Sequence, residues 1–194
     1  MPDYTVIADV SSTLQSVLTD AYAPLDPGSP PVAVISDLQG TISTNPARMT
    51  LFLFETVEDP SARNRPKVRV TPPPATGLGF RKPPMALLLR YMLTPWSGDR
   101  LTDHKLVGRT LQVLYDGAIL SGTQLQGGLA GTDQALKVTL SPLTLEERAR
   151  VWYAIEKPYR LSLTYEVRVV NLDAEQVETL SPVTQRSLGY EAPQ

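Results

Sequence analysis

The stretch from Met85 to Gly117 constrains the fold of this chain more than any other. Its first ten residues are apolar at nearly every position and carry a single charge, Arg90, so an extended segment here has two faces that both need cover. We therefore predict a central β-strand. After a short polar turn, Thr102 or Asp103 is predicted to cap a helix over residues 101–116, which ends at the following glycine.

Two further helices are predicted from apolar spacing and capping residues. The first covers residues 4–20 and begins after Asp3. The second covers residues 144–156, where Thr144 and Glu147 form a capping box. The face of this second helix that we expect to be buried carries Leu145, Ala149, Trp152 and Ile155.

Four more strands are predicted, over residues 32–38, 49–57, 136–140 and 159–169. The last of them alternates strictly between apolar and polar residues. Its inward residues are predicted to be Tyr159, Leu161, Leu163, Tyr165, Val167 and Val169, and its outward residues Arg160, Ser162, Thr164, Glu166 and Arg168. These elements predict an α/β (α+β) fold, in which a mixed sheet of about five strands carries helices mainly on one face.

Two stretches fall outside this pattern. Residues 59–84 alternate prolines with cations and are predicted to form a projecting arm, with a short hairpin around residues 67–71. From Asn171 onward the chain loses its periodicity. We therefore predict one domain over residues 1–170, which includes the arm, followed by an extended C-terminal tail over residues 171–194.

The composition argues against several functional classes. A net charge of −2 and a pI near 5.4 give no overall attraction to nucleic acid or to an anionic membrane. The absence of cysteine removes disulfides and thiol chemistry. The N-terminus lacks the features of a secretory signal, and Arg90 interrupts the longest apolar run well short of a membrane span. We therefore expect synthesis in the cytoplasm without membrane insertion.

The candidates for catalysis are few. His104 is the only histidine and follows Asp103, so the pair is either half of a general-base dyad or metal site, or two residues in the first turn of a helix. The second interpretation is favoured because no other imidazole, thiol or carboxylate cluster completes a site. Neither a G-x-S-x-G motif nor a P-loop is present. We predict no catalytic, cofactor-binding or metal-binding residues, and hence not an enzyme.

Basic residues are the strongest candidates for contact with a partner. Four of them alternate along the arm, which places them on one side of an extended segment. A protein partner with an acidic surface is favoured over nucleic acid, because Phe80 is the only aromatic residue of the arm available for base stacking. The remaining alternative is a solvated loop without a partner. The predicted interface residues are Arg63, Arg65, Lys67, Arg69, Arg81, Lys82, Arg160, Arg168, Pro182 and Arg186.

Three motifs in a fixed order resemble a known family. They are YMLTPWSGD from Tyr91, DHKLVGRTLQVLYD from Asp103, and LTLEERARVWYAIEKPYRLSLTYEVRVV from Leu143. Together they resemble the N-terminal domain of the tail-terminator, or cap, proteins of contractile injection systems, which are phage-tail-like particles. The resemblance runs from the first helix near Tyr4 to about Val170 and implies a tail-terminator-like fold.

The resemblance also implies a function. The chain is expected to be a structural protein that forms a ring, a hexamer in this family, at the distal end of a contractile tail. Its expected partners are other copies of itself, the inner tube protein and the sheath protein, and its final location is the assembled particle, whether cytoplasmic or released. The alternatives are a soluble enzyme with an unrecognised site and a nucleic-acid-binding module that uses the cationic arm.

Overall fold

The fold is given by a computed structural model that describes residues 3–71 and 78–180. Its three α-helices are α1 (Val6–Tyr22), α2 (Arg100–Asp116) and α3 (Leu145–Ala154). Its strands are β1 (Val32–Ile35), β2 (Arg48–Glu58), β3 (Val68–Val70), β4 (Leu78–Arg81), β5 (Met85–Trp96), β6 (Ile119–Ser121), β7 (Ala135–Leu140), β8 (Leu163–Leu172) and β9 (Val177–Leu180).

The main sheet has six strands in the order β1-β2-β5-β8-β7-β6. Only β1 and β2 are parallel, so the predicted mixed sheet is confirmed. The sixth strand, β6, was not predicted because its three residues are too few to show a period. As predicted, β5 lies near the centre of the sheet with both faces buried, and it extends through Pro95 to Trp96.

The larger core lies between the sheet and the pair α1 and α2. Leu14 and Leu18 of α1 and Leu106 of α2 are buried against the side of β5 that carries Leu89 and Tyr91. A hydrogen bond between the Tyr91 and Ser11 hydroxyl groups, whose oxygen atoms lie 2.8 Å apart, connects β5 to α1. Burial raises the pKa of the Tyr91 phenol to about 12, so it stays protonated and continues to share this hydrogen bond.

Helix α3 packs on the opposite face of the sheet, so the helices lie mainly, but not all, on one face. Its contact is centred on Trp152, which is 1% exposed and packs with Met92 and Leu38. The predicted inward position is correct for Trp152 and for the half-buried Ile155. It is wrong for Leu145 and Ala149, which are exposed because Arg148 and Val151 complete the face that meets the sheet.

The predicted alternation of β8 is correct only in part. The strand begins at Leu163, and Tyr159 and Leu161 are exposed in the connection before it. The predicted outward residues Ser162, Thr164 and Glu166 are buried, because α3 covers this side of the sheet. The Trp152 Nε1–H donates to the Ser162 hydroxyl over 3.3 Å, so Ser162 contributes to the α3 contact.

The predicted arm forms a small sheet of its own, in the order β3-β4-β9. The hairpin predicted around residues 67–71 is correct only in part, because β3 pairs with β4, which begins at Leu78. The third strand of this sheet, β9, comes from the region predicted as a tail. The prediction that regular structure ends before Asn171 is wrong, because β8 runs to Leu172 and β9 follows it. Residues 181–194, with the predicted Pro182 and Arg186, lie outside the described residues, and the proposed division at residue 170 stays a prediction.

The helix starts follow simple capping rules. The predicted capping box of α3 is present, since the Glu147 N–H donates to Thr144 Oγ1 over 3.2 Å. The predicted caps of α2 are wrong. Asp99 holds that position and accepts the Thr102 N–H over 2.8 Å, which leaves the Asp103 carboxylate free for other donors.

One edge of the main sheet is closed by side chains of α1. At β1 the Ala33 N–H donates to Thr19 Oγ1 and the Ala33 carbonyl accepts from Gln15 Nε2, each over 3.1 Å. The outward backbone groups of this edge strand are therefore already satisfied at its centre. Among the helices of the described residues, none combines the length and the apolar character that crossing a membrane needs.

Candidate assembly interface

Three of the predicted arm cations bind groups of their own chain. Arg63 forms an ion pair with Glu58 at 3.0 Å, Lys67 forms one with Glu178 at 2.6 Å, and Arg65 donates to the Asn171 side chain over 3.3 Å. The Lys67 hydrogen bond and charge hold the pKa of Glu178 below its ordinary value. Lys67 thus joins the arm to β9 and Arg65 joins it to the end of β8, whereas Arg63 pairs with the last residue of β2.

The other three arm cations are not all available to bind a partner. Arg81 is half-buried and interacts with its surroundings. Arg69 and Lys82 are exposed, and within residues 3–71 and 78–180 neither forms a hydrogen bond or an ion pair. Lys82 still contributes to the lowered pKa of Glu178 through its charge. Arg69 and Lys82 are therefore the arm cations best placed for a partner.

Arg160 stabilises the turn after β5. Its guanidinium lies 4.1 Å from the centroid of the Trp96 ring and donates to the Pro95 carbonyl and to Asp103 Oδ2, each over 3.2 Å. Asp103 is 3% exposed and also accepts the Ser97 N–H over 3.1 Å and the Ser97 hydroxyl over 2.8 Å. These contacts fix the angle at which α2 leaves the sheet.

Arg168 belongs to a charge network on the α3 side of the sheet. It pairs with Glu166 at 2.9 Å, and Glu166 also accepts from Arg90 over 3.0 Å. Arg90 also pairs with Glu55. Burial pushes the pKa of Glu166 up, but the hydrogen bonds and charges of Arg168 and Arg90 outweigh it and hold that pKa below its ordinary value. Arg168 is thus first a partner of its own chain.

Sequence reasoning missed two exposed apolar surfaces. We call the first the α3 stripe. It consists of Leu145, Ala149 and Tyr153, which recur every four residues on the outward side of α3, with Leu145 63% and Tyr153 86% exposed. The spacing of Leu145 and Ala149 correctly indicated an apolar face on α3, although this face is exposed and not buried. None of the residues that the structure describes covers this surface.

The second surface is the α2–β7 groove, a depression of about 710 Å³ between the end of α2 and the outer edge of β7. Its apolar lining includes Leu111, Leu114, Tyr115, Val138, Leu140 and Tyr165. Tyr115, near the end of α2, is 84% exposed. The apolar residues of α2 indicate an apolar surface here. Its exposure depends on how short β6 is, and no pattern in the sequence predicts that length.

The described residues contain no group of histidine and carboxylate side chains arranged to hold a metal ion. Asp103 and His104 do not form a dyad, because both Asp103 carboxylate oxygens accept from serine or arginine. His104 itself is exposed on the first turn of α2.

Replacing His104 with alanine should therefore leave both stability and particle assembly unchanged. Exposed positions away from special contacts typically shift the free energy of unfolding by no more than about 0.5 kcal/mol. Thermal melts and electron microscopy of particles that carry His104→Ala test this. Loss of assembly with an unchanged melting temperature would restore a functional role for the imidazole.

The family model of the Pvc16 N-terminal domain matches residues 9–186, which is most of the chain. The chain belongs to this family. The predicted resemblance to tail terminators is thereby confirmed. A comparison with curated protein sequences gave no match.

Two solved structures are similar to this Pvc16 N-terminal domain. One is the sheath/tube terminator of an extracellular contractile injection system, PVC, in its extended state, with 22% identity, a TM-score of 0.64, and cover of 100% of this chain and 66% of that chain. The other is the tube-terminating cap of the anti-feeding prophage, with 19% identity, a TM-score of 0.58, and cover of 94% and 61%. They confirm the predicted fold. The Pvc16 domain spans about two thirds of the length of these chains.

Proposed function

We propose that this chain is a structural terminator that ends the inner tube and the sheath of a contractile injection system. The single observation that carries the proposal is the match of the Pvc16 N-terminal domain model to residues 9–186. The two similar structures, a sheath/tube terminator and a tube-terminating cap, support it through their shared fold. We further propose that the chain acts without catalysis, since His104 is exposed without a hydrogen bond or ion pair among the described residues and the neighbouring Asp103 carboxylate serves structural contacts.

The physical role of such a protein follows from how helical stacks grow. Each new layer of tube or sheath exposes the same interface to the next layer, so growth continues until that interface is covered. A ring that matches the interface on one side and offers no copy of it on the other ends the stack. We propose that this chain forms such a ring, as a hexamer, and that it is made in the cytoplasm before it joins the particle.

The arm is the part of the domain that we assign to the tube or the sheath. It projects from the main sheet on its own small sheet, and Arg69 and Lys82 lie exposed on it without an ion pair among the described residues. An acidic surface on the partner would complement them. Arg63, Arg65, Lys67 and Arg81 belong to the same proposed surface, and Arg160 and Arg168 to a second one. Pro182 and Arg186, outside the described residues, are proposed as further partner contacts.

Deletion of the chain in its injection system should give tails of uncontrolled length or poor stability. Electron microscopy of purified particles provides the tail-length distribution, and complementation with the His104→Ala form, which retains every contact described above, should restore it. Particles of normal length that fire normally without the chain would overturn the proposal.

The same assay tests the arm. The double variant Arg69→Glu, Lys82→Glu should fold normally but fail to restore tail length. Lys105→Glu is the matched control, because Lys105 is an exposed cation on α2, away from the arm. Equal complementation by both variants would remove the arm from the proposed interface without affecting the terminator proposal itself.

A further inference from the structure

The small sheet of the arm, which we call the arm sheet, has two edges that no other described strand covers. Its order is β3-β4-β9, so β3 forms one edge and β9 the other. At the β1 edge of the main sheet, side chains of α1 occupy backbone groups. No side chain of the described residues bonds to the backbone of β3 or β9 in this way. Open strand edges are templates for pairing with a further strand.

The two edges of the arm sheet carry opposite charges on the same face. Arg69 of β3 and Glu178 of β9 both lie directly opposite Phe80 of β4, so their side chains project to the same side. Arg69 is exposed and forms no hydrogen bond or ion pair within the described residues. Lys67 binds only the Oε2 atom of Glu178, and a carboxylate accepts more than one donor. The β3 edge thus presents a cation that the β9 edge can accept.

The other face of the arm sheet carries an exposed valine on each edge. Val68 of β3 and Val177 of β9 both lie opposite Arg81 of β4, and they are 41% and 42% exposed. Side chains branched at Cβ pack well against each other on adjacent strands. Each edge therefore offers one charged and one apolar side chain, on opposite faces.

We propose that β3 of one copy of this chain pairs with β9 of the next copy, so that the arm sheets join the subunits of the ring. The inference rests on the proposed function, because it names the contact between ring subunits and identifies Glu178 of the next copy as the acid that Arg69 meets. A contact between two different surfaces of identical subunits is heterologous, and repeated around an axis it closes into a ring. Strand addition is a recurrent mode of recognition, in which the backbone provides affinity and the side chains provide specificity.

One parallel register satisfies both faces at once. Strands β3 and β9 both run antiparallel to β4 and hence parallel to each other, and rotation about a ring axis keeps this direction from copy to copy. When Arg69 lies beside Glu178 of the next copy, Val68 lies beside Val177 on the opposite face. Pro66 has no N–H to donate and ends the pairing on its side of β3. The paired backbone is short, so these two side-chain pairs select the strand that occupies the edge.

The two edges favour a second copy over another protein as the occupant. They complement each other in charge, and each carries an exposed valine at the matching position. The same contact repeated around the ring covers both edges of every subunit, whereas a strand of the tube or the sheath on one edge would leave the other open. Lys82 follows the central strand β4 and stays available for the tube or the sheath.

Disulfide trapping tests the contact directly, because the chain has no cysteine of its own. Particles are assembled with the full chain carrying Val68→Cys and Val177→Cys and are then oxidised. Within one chain these positions lie two strand spacings apart, about 10 Å, whereas a disulfide spans no more than roughly 7 Å between Cα atoms. The expected result is a ladder of covalent multimers in a non-reducing denaturing gel, in which the largest closed species gives the ring number.

Each single variant should stay monomeric, since a heterologous contact does not bring a residue near its own copy. The matched control combines Val68→Cys with Ile35→Cys, because Ile35 is also an exposed apolar residue on an edge strand. Multimers from a single variant or from the control would overturn the contact. So would the lack of a ladder from the Val68 and Val177 pair while microscopy shows the chain at the tail end, and the terminator proposal would then still stand. Absence of the chain from the tail end would overturn both.

Mixing two charge variants gives an independent readout. Copies with Arg69→Glu and copies with Glu178→Arg should each lose most of the chain recovered in rings, because like charges then meet at every contact. An equal mixture should recover the rings, because each contact between unlike copies again pairs a cation with an acid. A defect inside one chain, such as the lost bond from Lys67 to Glu178, is not repaired by mixing. A mixture as poor as its components would therefore overturn the proposed pairing.

Discussion

Replacing Trp152 with alanine is expected to lower the free energy of unfolding by about 3–5 kcal/mol, because it removes a large buried side chain and leaves a cavity. Trp152 is 1% exposed, holds α3 against Met92 and Leu38, and donates to the Ser162 hydroxyl. Typical domains are stable by only about 5–15 kcal/mol, so the variant should melt far lower or fail to fold. Thermal or urea unfolding followed by circular dichroism measures the change.

Trp96→Ala is the matched control for that experiment. Trp96 is half-buried, donates to the Thr50 hydroxyl over 3.0 Å and supports the Arg160 guanidinium. Losing one hydrogen bond and one cation–π contact should cost about 1–2 kcal/mol, less than the cavity at Trp152. Equal destabilisation by the two variants would mean that the α3 contact contributes no more than the turn after β5.

Replacing Asp103 with alanine is expected to cost about 2–4 kcal/mol. The carboxylate is buried and accepts from Ser97, Arg100 and Arg160. Its loss leaves the Ser97 donors and the mostly buried Arg160 guanidinium without their acceptor, and unpaired groups of this kind carry a desolvation cost of that order. The free energy of unfolding from urea titration at neutral pH gives the measurement.

Asp99→Ala provides the comparison for Asp103→Ala. Asp99 is exposed and caps α2 through the Thr102 N–H, so its removal should cost about 1 kcal/mol, as for other helix caps. The two carboxylates lie one helical turn apart at the same end of α2 and differ mainly in burial. If Asp99→Ala proves as costly as Asp103→Ala, the network around Arg160 adds nothing beyond ordinary capping.

Local signals in the sequence predicted the parts of the fold that local interactions determine. The capping box at Thr144 and Glu147 involves residues three positions apart, and the apolar β5 must lie inside any sheet that it joins. Strand β9 could not be predicted in this way, because its four residues are held by pairing with β4, about a hundred positions earlier. Its register depends on a contact that no local period records.

The candidate interfaces were predicted less well, for a related reason. A cation in the sequence carries no sign of whether its partner lies in the same chain, and Arg63 and Lys67 both bind acids of their own chain. An apolar residue likewise does not indicate which surface will cover it. Leu145 and Ala149 were assigned to the core on that basis, although they form part of an outer surface.

The closed edge at β1 has a consequence for contacts between separate copies of the protein. A free strand edge is a template on which further chains add strand by strand, and this is a common route into fibrous or amorphous aggregates. Thr19 and Gln15 occupy the hydrogen-bonding groups of Ala33, so another chain finds no donor or acceptor at the centre of that edge. Two α1 side chains thus block strand addition at the centre of this edge, without any further strand to cover it.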